Sequence, residues 1–137
     1  MNMDDVRALM KEVGWGDLAT TDGRTVGVRP MGGWAWKGKE LWCATGANSD
    51  KIKQLRKVPQ AEYCITRRDG LHVRIAGTCT ISDDAGDKQW LWEACPLLRK
   101  HIPDPASPEY VVIRMTPTRV RAMMDPTAEA YEEIEPR

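Results

Sequence analysis

The sequence predicts a mainly β protein, an antiparallel β-barrel with flanking helices. From residue 71 to residue 81 apolar and polar residues alternate strictly, which is typical of a strand with one buried face. Asp22-Gly23 lies between two short β-prone segments and favours a tight hairpin turn. Short strands separated by turn residues, without room for repeated βαβ units, indicate an antiparallel barrel rather than a parallel sheet.

Length and charge argue against several functional classes. The 137 residues fit a single domain, 1–137, without an internal boundary. Lys and Arg number 20, as do Asp and Glu, so no overall field attracts nucleic acid or an anionic membrane. No stretch of about 20 apolar residues is present, and the acidic start does not resemble a signal peptide. We therefore expect no nucleic-acid or membrane partner.

The cysteines and histidines do not form a metal-ligand pattern. The four cysteines are widely spaced without a Cys-x-x-Cys pair, so we expect reduced, mostly buried thiols rather than a disulfide framework or zinc site. His72 and His101 are far apart in sequence, and each is more typical of a surface or structural histidine than of a ligand. No metal is expected, and reduced cysteines are typical of a cytoplasmic protein.

The first half of the chain begins with a helix. It is acidic at its start and apolar along one side, and Gly14 and Gly16 end it; its inner residues are Val6, Leu9, Met10 and Val13. Strands are expected at 18–21 and 25–28, then at 40–45 after the turn Lys37-Gly38-Lys39. A short basic helix follows at 49–56, ending before Pro59.

The second half alternates strands and helices. Strands are expected at 61–66 and 71–81, followed by a helix whose pattern Pro96 should kink or split. A last strand runs from 110 to 115, is interrupted near Pro117 and resumes over 119–124. The acidic tail, residues 126–137, is expected to be flexible or held by a partner.

One segment has the composition of an anion site. A strand ends at Ala44-Thr45, a loop containing Gly46 follows, and Ser49 opens a helix whose first turn holds Lys51. Backbone N–H groups at a helix start attract anions, Thr45 and Ser49 add hydroxyls, and Lys51 adds a charge. Arg29 on an earlier strand could add a bidentate contact, and the set would suit a phosphate monoester. The alternative is structural: Ser49 or Asn48 caps the helix, and both cations are solvated.

The order of these motifs resembles the pyridoxamine 5′-phosphate oxidase-like superfamily, and most closely its general stress protein branch. The resemblance rests on Arg29-Pro30-Met31, on the strand 41–45 and on Ser49-Asp50-Lys51-Ile52 followed by Val58-Pro59. The segment 75–78 and the strand 110–115 also fit, so the resemblance extends from about residue 17 to residue 124.

The resemblance implies a six-stranded antiparallel split β-barrel that forms a homodimer and binds FMN between its subunits. Arg29 and Lys51 would hold the FMN phosphate, with help from Ser49 and Thr45. The isoalloxazine ring would lie along the backbone of Arg29, Pro30 and Met31, and the strand holding Cys43 and Ala44 would line the other side. Residues such as Arg74 could contribute across the dimer.

Two departures from the true oxidase limit this inference. That enzyme carries a lysine shortly after the motif arginine, where this chain has Gly32-Gly33-Trp34. Its C-terminal segment also carries an Arg and a His that hold pyridoxal phosphate, whereas residues 126–137 are acidic here. Oxidation of pyridoxamine phosphate is therefore not expected.

The sequence thus predicts an FMN-binding protein, a flavin-dependent oxidoreductase of unknown small-molecule substrate and with no assignable catalytic residue. The alternatives are a non-catalytic, stress-related flavin protein that stores FMN or senses redox state, and a barrel dimer that binds a protein partner. A related flavin, a deazaflavin or a haem ligand also stays open. Six Trp and no Phe are present, and the pair Trp34 and Trp36 could stack on a flavin, seal a dimer or fill the core.

Overall fold

A computed structural model describes all residues, 1–137, as four helices and eight strands. The helices are α1 (Met3–Val13), α2 (Asp50–Lys57), α3 (Ala85–Ala94) and α4 (Pro96–His101). The strands are β1 (Gly16–Thr21), β2 (Val26–Met31), β3 (Trp34–Lys37), β4 (Glu40–Gly46), β5 (Gln60–Thr66), β6 (His72–Ser82), β7 (Tyr110–Met123) and β8 (Glu132–Ile134).

All strands belong to one antiparallel sheet that curls into a half-barrel, which confirms the split-barrel class. The strand order is β2-β1-β5-β6-β7-β4-β3, and the short strand β8 also pairs with β7. The two edge strands, β2 and β3, are consecutive in sequence and are joined through Gly32-Gly33. The chain therefore passes from one edge of the sheet to the other at this dipeptide.

Two strands exceed the six that were expected. The first, β3, has only four residues between a glycine pair and a turn, so its sequence carries little strand signal. The second, β8, lies in the acidic tail, where Glu133 pairs with Arg119 of β7 and Ile134 is buried in the core. Residues 132–134 are thus held by β7 of the same chain, whereas the sequence suggested flexibility or a partner for the whole tail.

The helices begin and end where local chemistry favours it. Asn2 caps α1 in a capping box with Asp5, and Gly14 ends the helix at φ 84°. Pro96 divides the second helical region, as expected, because it stands at the first position of α4 where its missing N–H is tolerated. No helix is both long and apolar enough to cross a membrane.

The packing forms two cores. The larger lies inside the curled sheet and includes the apolar side of α1 together with Tyr63, Ile75 and Val120. The smaller lies behind β4 and β7, where α3 and α4 cover Trp42 and Val112.

Strand β7 is continuous through Pro117. Pro117 lies opposite Gly77, and the register between β6 and β7 shifts there. A side chain at Gly77 would approach the Thr116 carbonyl oxygen to 2.5 Å, so glycine permits this irregularity. The expected interruption is therefore a bulge and not a break.

The four cysteines are free, and three are buried. Burial raises the pKa of Cys43 to about 12 and that of Cys79 to about 12, so both are neutral thiols at physiological pH. This agrees with the expected reduced, mostly buried cysteines.

Candidate functional site

The end of β4 and the start of α2 bring three predicted residues together. Lys51 Nζ donates a 2.6 Å hydrogen bond to Thr45 Oγ1, and Thr45 Oγ1 lies 3.3 Å from Ser49 Oγ. Ser49 occupies the N-cap position of α2, but its side chain makes no capping hydrogen bond. Its hydroxyl is therefore available to a ligand, which argues against a purely capping role.

Arg29 reaches the same region from β2. Its side chain lies on the inner side of the sheet, where Arg29 is paired with Leu18, and it is half-buried. Nη1 donates to Thr20 Oγ1 at 2.6 Å and to the Leu18 carbonyl oxygen at 3.3 Å, and Nη2 donates to Gln54 Oε1 at 3.4 Å. Gln54 is three residues after Lys51, so both face the same side of α2.

Gly27 makes room for this guanidinium. Its φ is not positive, so the backbone there does not require glycine. A Cβ at this position would overlap Arg29 Nη2 and lie 3.1 Å from Gln54 Oε1. The Arg29 guanidinium can therefore lie over residue 27 only because this residue has no side chain.

The two cations are close enough to influence each other. Burial lowers the pKa of Lys51 below 10.5, and the positive charge of Arg29 lowers it further. Neither Arg29 nor Lys51 forms an ion pair with a carboxylate of this chain; Asp50 acts on both only through its longer-range charge. Two half-buried cations without counter-ions form a region that favours a bound anion. We call Thr20, Arg29, Thr45, Ser49, Lys51 and Gln54 the cationic cradle.

The other predicted residues lie around the cradle with different exposures. Pro30 is exposed on the opposite side of β2. Met31 is buried, and its carbonyl oxygen accepts a 3.0 Å hydrogen bond from Tyr63. The Cys43 side chain is in the larger core, so only its backbone could face a ligand. Ala44 is half-buried and faces away from Thr45 on β4.

A cavity of about 580 Å³ begins at the same end of β4. It lies between Ala44-Thr45-Gly46, helix α4 and the loop 102–110. Two side chains of α3 fix the loop: the buried Lys88 donates from Nζ to the Ser107 carbonyl oxygen at 2.7 Å, and the half-buried Trp92 donates from Nε1 to the Ile102 carbonyl oxygen at 2.7 Å. The cavity is therefore preformed and of a size that suits a small organic molecule.

The histidines take no part in the cradle. The His72 ring lies between the Gly70 carbonyl oxygen and the Tyr131 hydroxyl, each at 2.9 Å, and His101 borders the cavity. No group of three or more His, Cys, Asp or Glu side chains could hold a metal ion.

Sequence reasoning missed Thr20, Gln54 and Gly27. Thr20 is an inward residue of an ordinary strand and Gln54 an ordinary helix residue, so neither carried a signal. Gly27 did carry one, because an isolated glycine inside a strand often marks the close approach of another group.

The fold is shared with several bacterial proteins of known structure. A nimC/nimA family protein from Clostridium acetobutylicum is 23% identical, with a TM-score of 0.78, and the match covers 96% of this chain and 90% of that chain. A putative pyridoxamine 5′-phosphate oxidase from Listeria innocua is 22% identical, with a TM-score of 0.75 and coverages of 89% and 98%. General Stress Protein 26 from Bacillus anthracis is 19% identical, with a TM-score of 0.72 and coverages of 93% and 98%.

The family assignment comes from the sequence itself. No curated protein sequence matches this chain significantly. Residues 1–122, however, match the family described as pyridoxamine 5′-phosphate oxidase like. This range includes every residue of the cationic cradle, and it confirms the resemblance inferred from the motifs. The chain belongs to the pyridoxamine 5′-phosphate oxidase-like family.

Proposed function

We propose that this protein binds FMN through the cationic cradle. The observation that carries the proposal is the convergence of Arg29 and Lys51, two half-buried cations without counter-ions. The hydroxyls of Thr45 and Ser49 add hydrogen-bond partners suited to a phosphate monoester. The start of α2 adds backbone N–H groups and the positive end of a helix dipole.

The rest of the cofactor would lie along neighbouring backbone. The backbone of Arg29, Pro30 and Met31 would follow the isoalloxazine ring on one side, and that of Cys43 and Ala44 would line the other. These positions adjoin the cradle because β2 and β4 carry Arg29 and Thr45. The buried Tyr63 hydroxyl fixes the Met31 carbonyl oxygen and would keep this backbone in place.

The working unit is a homodimer with FMN at the interface between subunits. On β2 the side chains alternate, so Val26 and Val28 point outward while Arg29 points inward. The two valines are 78% and 68% exposed, and the half-buried Ala19, which lies opposite Val28, continues this apolar surface onto β1. We call these three residues the outer patch. A second subunit packed on this patch would be separated from the cradle only by the backbone of β2, which suits a cofactor site shared between subunits.

The activity is a flavin-dependent oxidation or reduction of a small molecule in the cytoplasm. Bound FMN supplies hydride or electron transfer, and the protein supplies its position and limits access to it. The preformed cavity beside Ala44 offers a substrate a place near the cradle. Pyridoxamine phosphate is not the proposed substrate, because the tail here presents acidic residues in place of the oxidase's cationic ones.

A non-catalytic role is the alternative. A stress-related protein that stores FMN or senses redox state would need the same cradle but no substrate cavity. The preformed cavity favours an enzyme over this alternative.

The first experiment measures flavin binding. The purified protein, reconstituted with FMN, should retain about one FMN per subunit, seen as flavin absorbance after gel filtration. Lys51→Ala should weaken FMN binding roughly 10- to 150-fold, because a hydrogen bond to a charged group contributes about 1.5–3 kcal/mol. Lys53→Ala is the matched control, since Lys53 is an exposed lysine on the same helix. An equal loss of FMN affinity in both variants, or no retained flavin in the unmodified protein, would disprove FMN binding at the cradle.

Two further measurements separate the alternatives. Bleaching of bound flavin by NADH or NADPH under anaerobic conditions would favour the enzyme over the storage protein. Val28→Glu should convert the dimer to monomer in light scattering and release FMN with it, because the charge would enter the interface. A dimer that persists in Val28→Glu would exclude the outer patch as the interface.

A further inference from the structure

A second cavity lies at the free edge of the sheet, away from the cradle. It has a volume of about 390 Å³ and is bounded by α1, the edge strand β3 and the junction between α3 and α4. None of its lining residues belongs to the cationic cradle or to the cavity beside Ala44. It is therefore a separate site on this chain.

The walls of this cavity are tryptophans in fixed positions. Trp34 Nε1 donates to the Gly14 carbonyl oxygen at 2.7 Å, and Trp36 Nε1 contacts Met10 Sδ at 3.3 Å. Trp90 packs edge-on against Trp42 with ring centroids 5.3 Å apart. Because these contacts hold the indoles before any ligand arrives, little ordering entropy is lost when a flat molecule enters.

The charges around the cavity are positive. Arg7 and Lys11 stand four residues apart on α1 and both line it, whereas no Asp or Glu does. The Arg7 guanidinium lies 5.0 Å from the Trp36 ring centroid and also contacts the Arg137 carbonyl oxygen and the exposed Asp4 carboxylate. Lys11 is exposed, and its ammonium group makes no hydrogen bond or ion pair within the chain. The cavity thus combines aromatic walls with a solvent-exposed cation at its rim that has no ion-pair partner in the chain.

We propose that this tryptophan cavity binds a small planar aromatic carboxylate. The ring would pack against the indoles, and the carboxylate would face Lys11 and Arg7 at the rim. An uncharged aromatic molecule would lack the electrostatic contact with Lys11, and an aromatic cation would be repelled by both Lys11 and Arg7. A volume of about 390 Å³ admits one or two fused rings.

The test uses 2-naphthoate as the probe and 2-naphthamide as its uncharged isostere. Isothermal titration calorimetry on the full chain should give one naphthoate per chain, bound more tightly than the amide, with the difference shrinking as salt is added. Lys11→Gln should weaken naphthoate binding about two- to fivefold, as expected for an exposed ion pair. Trp90→Leu should weaken it about three- to tenfold through the loss of aromatic packing.

Three further variants locate the site. Ala94→Leu fills the cavity from an exposed helix position and should abolish binding, while far-ultraviolet circular dichroism stays unchanged. Lys100→Gln, an exposed lysine outside the cavity, and Lys51→Ala in the cradle should both leave naphthoate binding intact. Equal affinity for the amide, full binding by folded Ala94→Leu, or loss of binding in Lys51→Ala would each overturn the proposal, as would the absence of any heat of binding.

Discussion

Replacing Gly27 by alanine should impair FMN binding while leaving the fold intact. The added Cβ would overlap Arg29 Nη2 and lie 3.2 Å from Arg29 Cζ. The group that must move is the end of a flexible side chain, so the strand itself can stay in place. The guanidinium would swing away from Thr20 and Gln54, and Arg29 would no longer face the cradle.

The expected magnitudes differ for stability and for binding. Alanine at a backbone conformation that it can adopt stabilises a protein by about 0.4–1 kcal/mol. Loss of the hydrogen bond from Arg29 to Thr20 costs about 1 kcal/mol, so the free energy of unfolding should change by less than about 1 kcal/mol. Complete loss of a charged contact to the phosphate would weaken FMN binding by about 1.5–3 kcal/mol, or roughly 10- to 150-fold in Kd.

A double-mutant cycle makes this test specific. FMN titrations followed by flavin fluorescence would compare Gly27→Ala, Arg29→Ala and the double variant, and urea unfolding would report stability. Since Gly27→Ala is expected to act only through Arg29, it should have no further effect on Kd in the Arg29→Ala background. Additive effects, or an unchanged Kd in the single variant Gly27→Ala, would refute the reasoning.

Two other predictions concern pH and the C-terminal strand. As the pH is raised, FMN affinity should begin to fall before pH 10.5 is reached. Burial and the charge of Arg29 lower the pKa of Lys51, and the neutral amine that forms no longer attracts the phosphate. Lys51→Arg should move this loss to higher pH in the same titration, and an identical profile would assign it to another group. Ile134→Ala should lower the free energy of unfolding by about 2 kcal/mol in urea, because Ile134 is buried in the larger core. A change below about 0.5 kcal/mol would mean that β8 is detached in solution.

The sheet was predictable wherever side chains alternate between a buried and an exposed face. Leu71, just before β6, and residues 73, 75, 77 and 79 on it are buried, as the alternation indicated, whereas Ile81 at its end is half-buried. Strand β3 was not predicted, because four residues between two glycine-containing turns leave no room for a pattern. Strand β8 was missed for another reason: its acidic residues are stabilised by distant partners on β7, such as Arg119, which no local pattern reveals.

The cradle was predictable only in part. Lys51, Ser49 and Thr45 are close in sequence, so the loop between a strand and a helix start already indicated that they meet. On the residues alone Arg29 was one candidate contact on a distant strand, and the family resemblance placed it with Lys51 at the phosphate. Gln54 could not be found at all, since its role depends on which side of the helix faces β2.

The two properties proposed for β2 follow from the same alternation. Gly27 and Arg29 point inward and form the cradle, while Val26 and Val28 point outward and remain exposed. Substitutions at the inward positions should therefore change FMN affinity in a protein that still dimerises. Substitutions at the outward positions should first change the monomer–dimer equilibrium and, through it, FMN retention. If the interface lies elsewhere, the outward substitutions should leave both dimerisation and FMN retention unchanged. Comparing inward with outward substitutions on β2 therefore decides whether this strand forms the dimer interface.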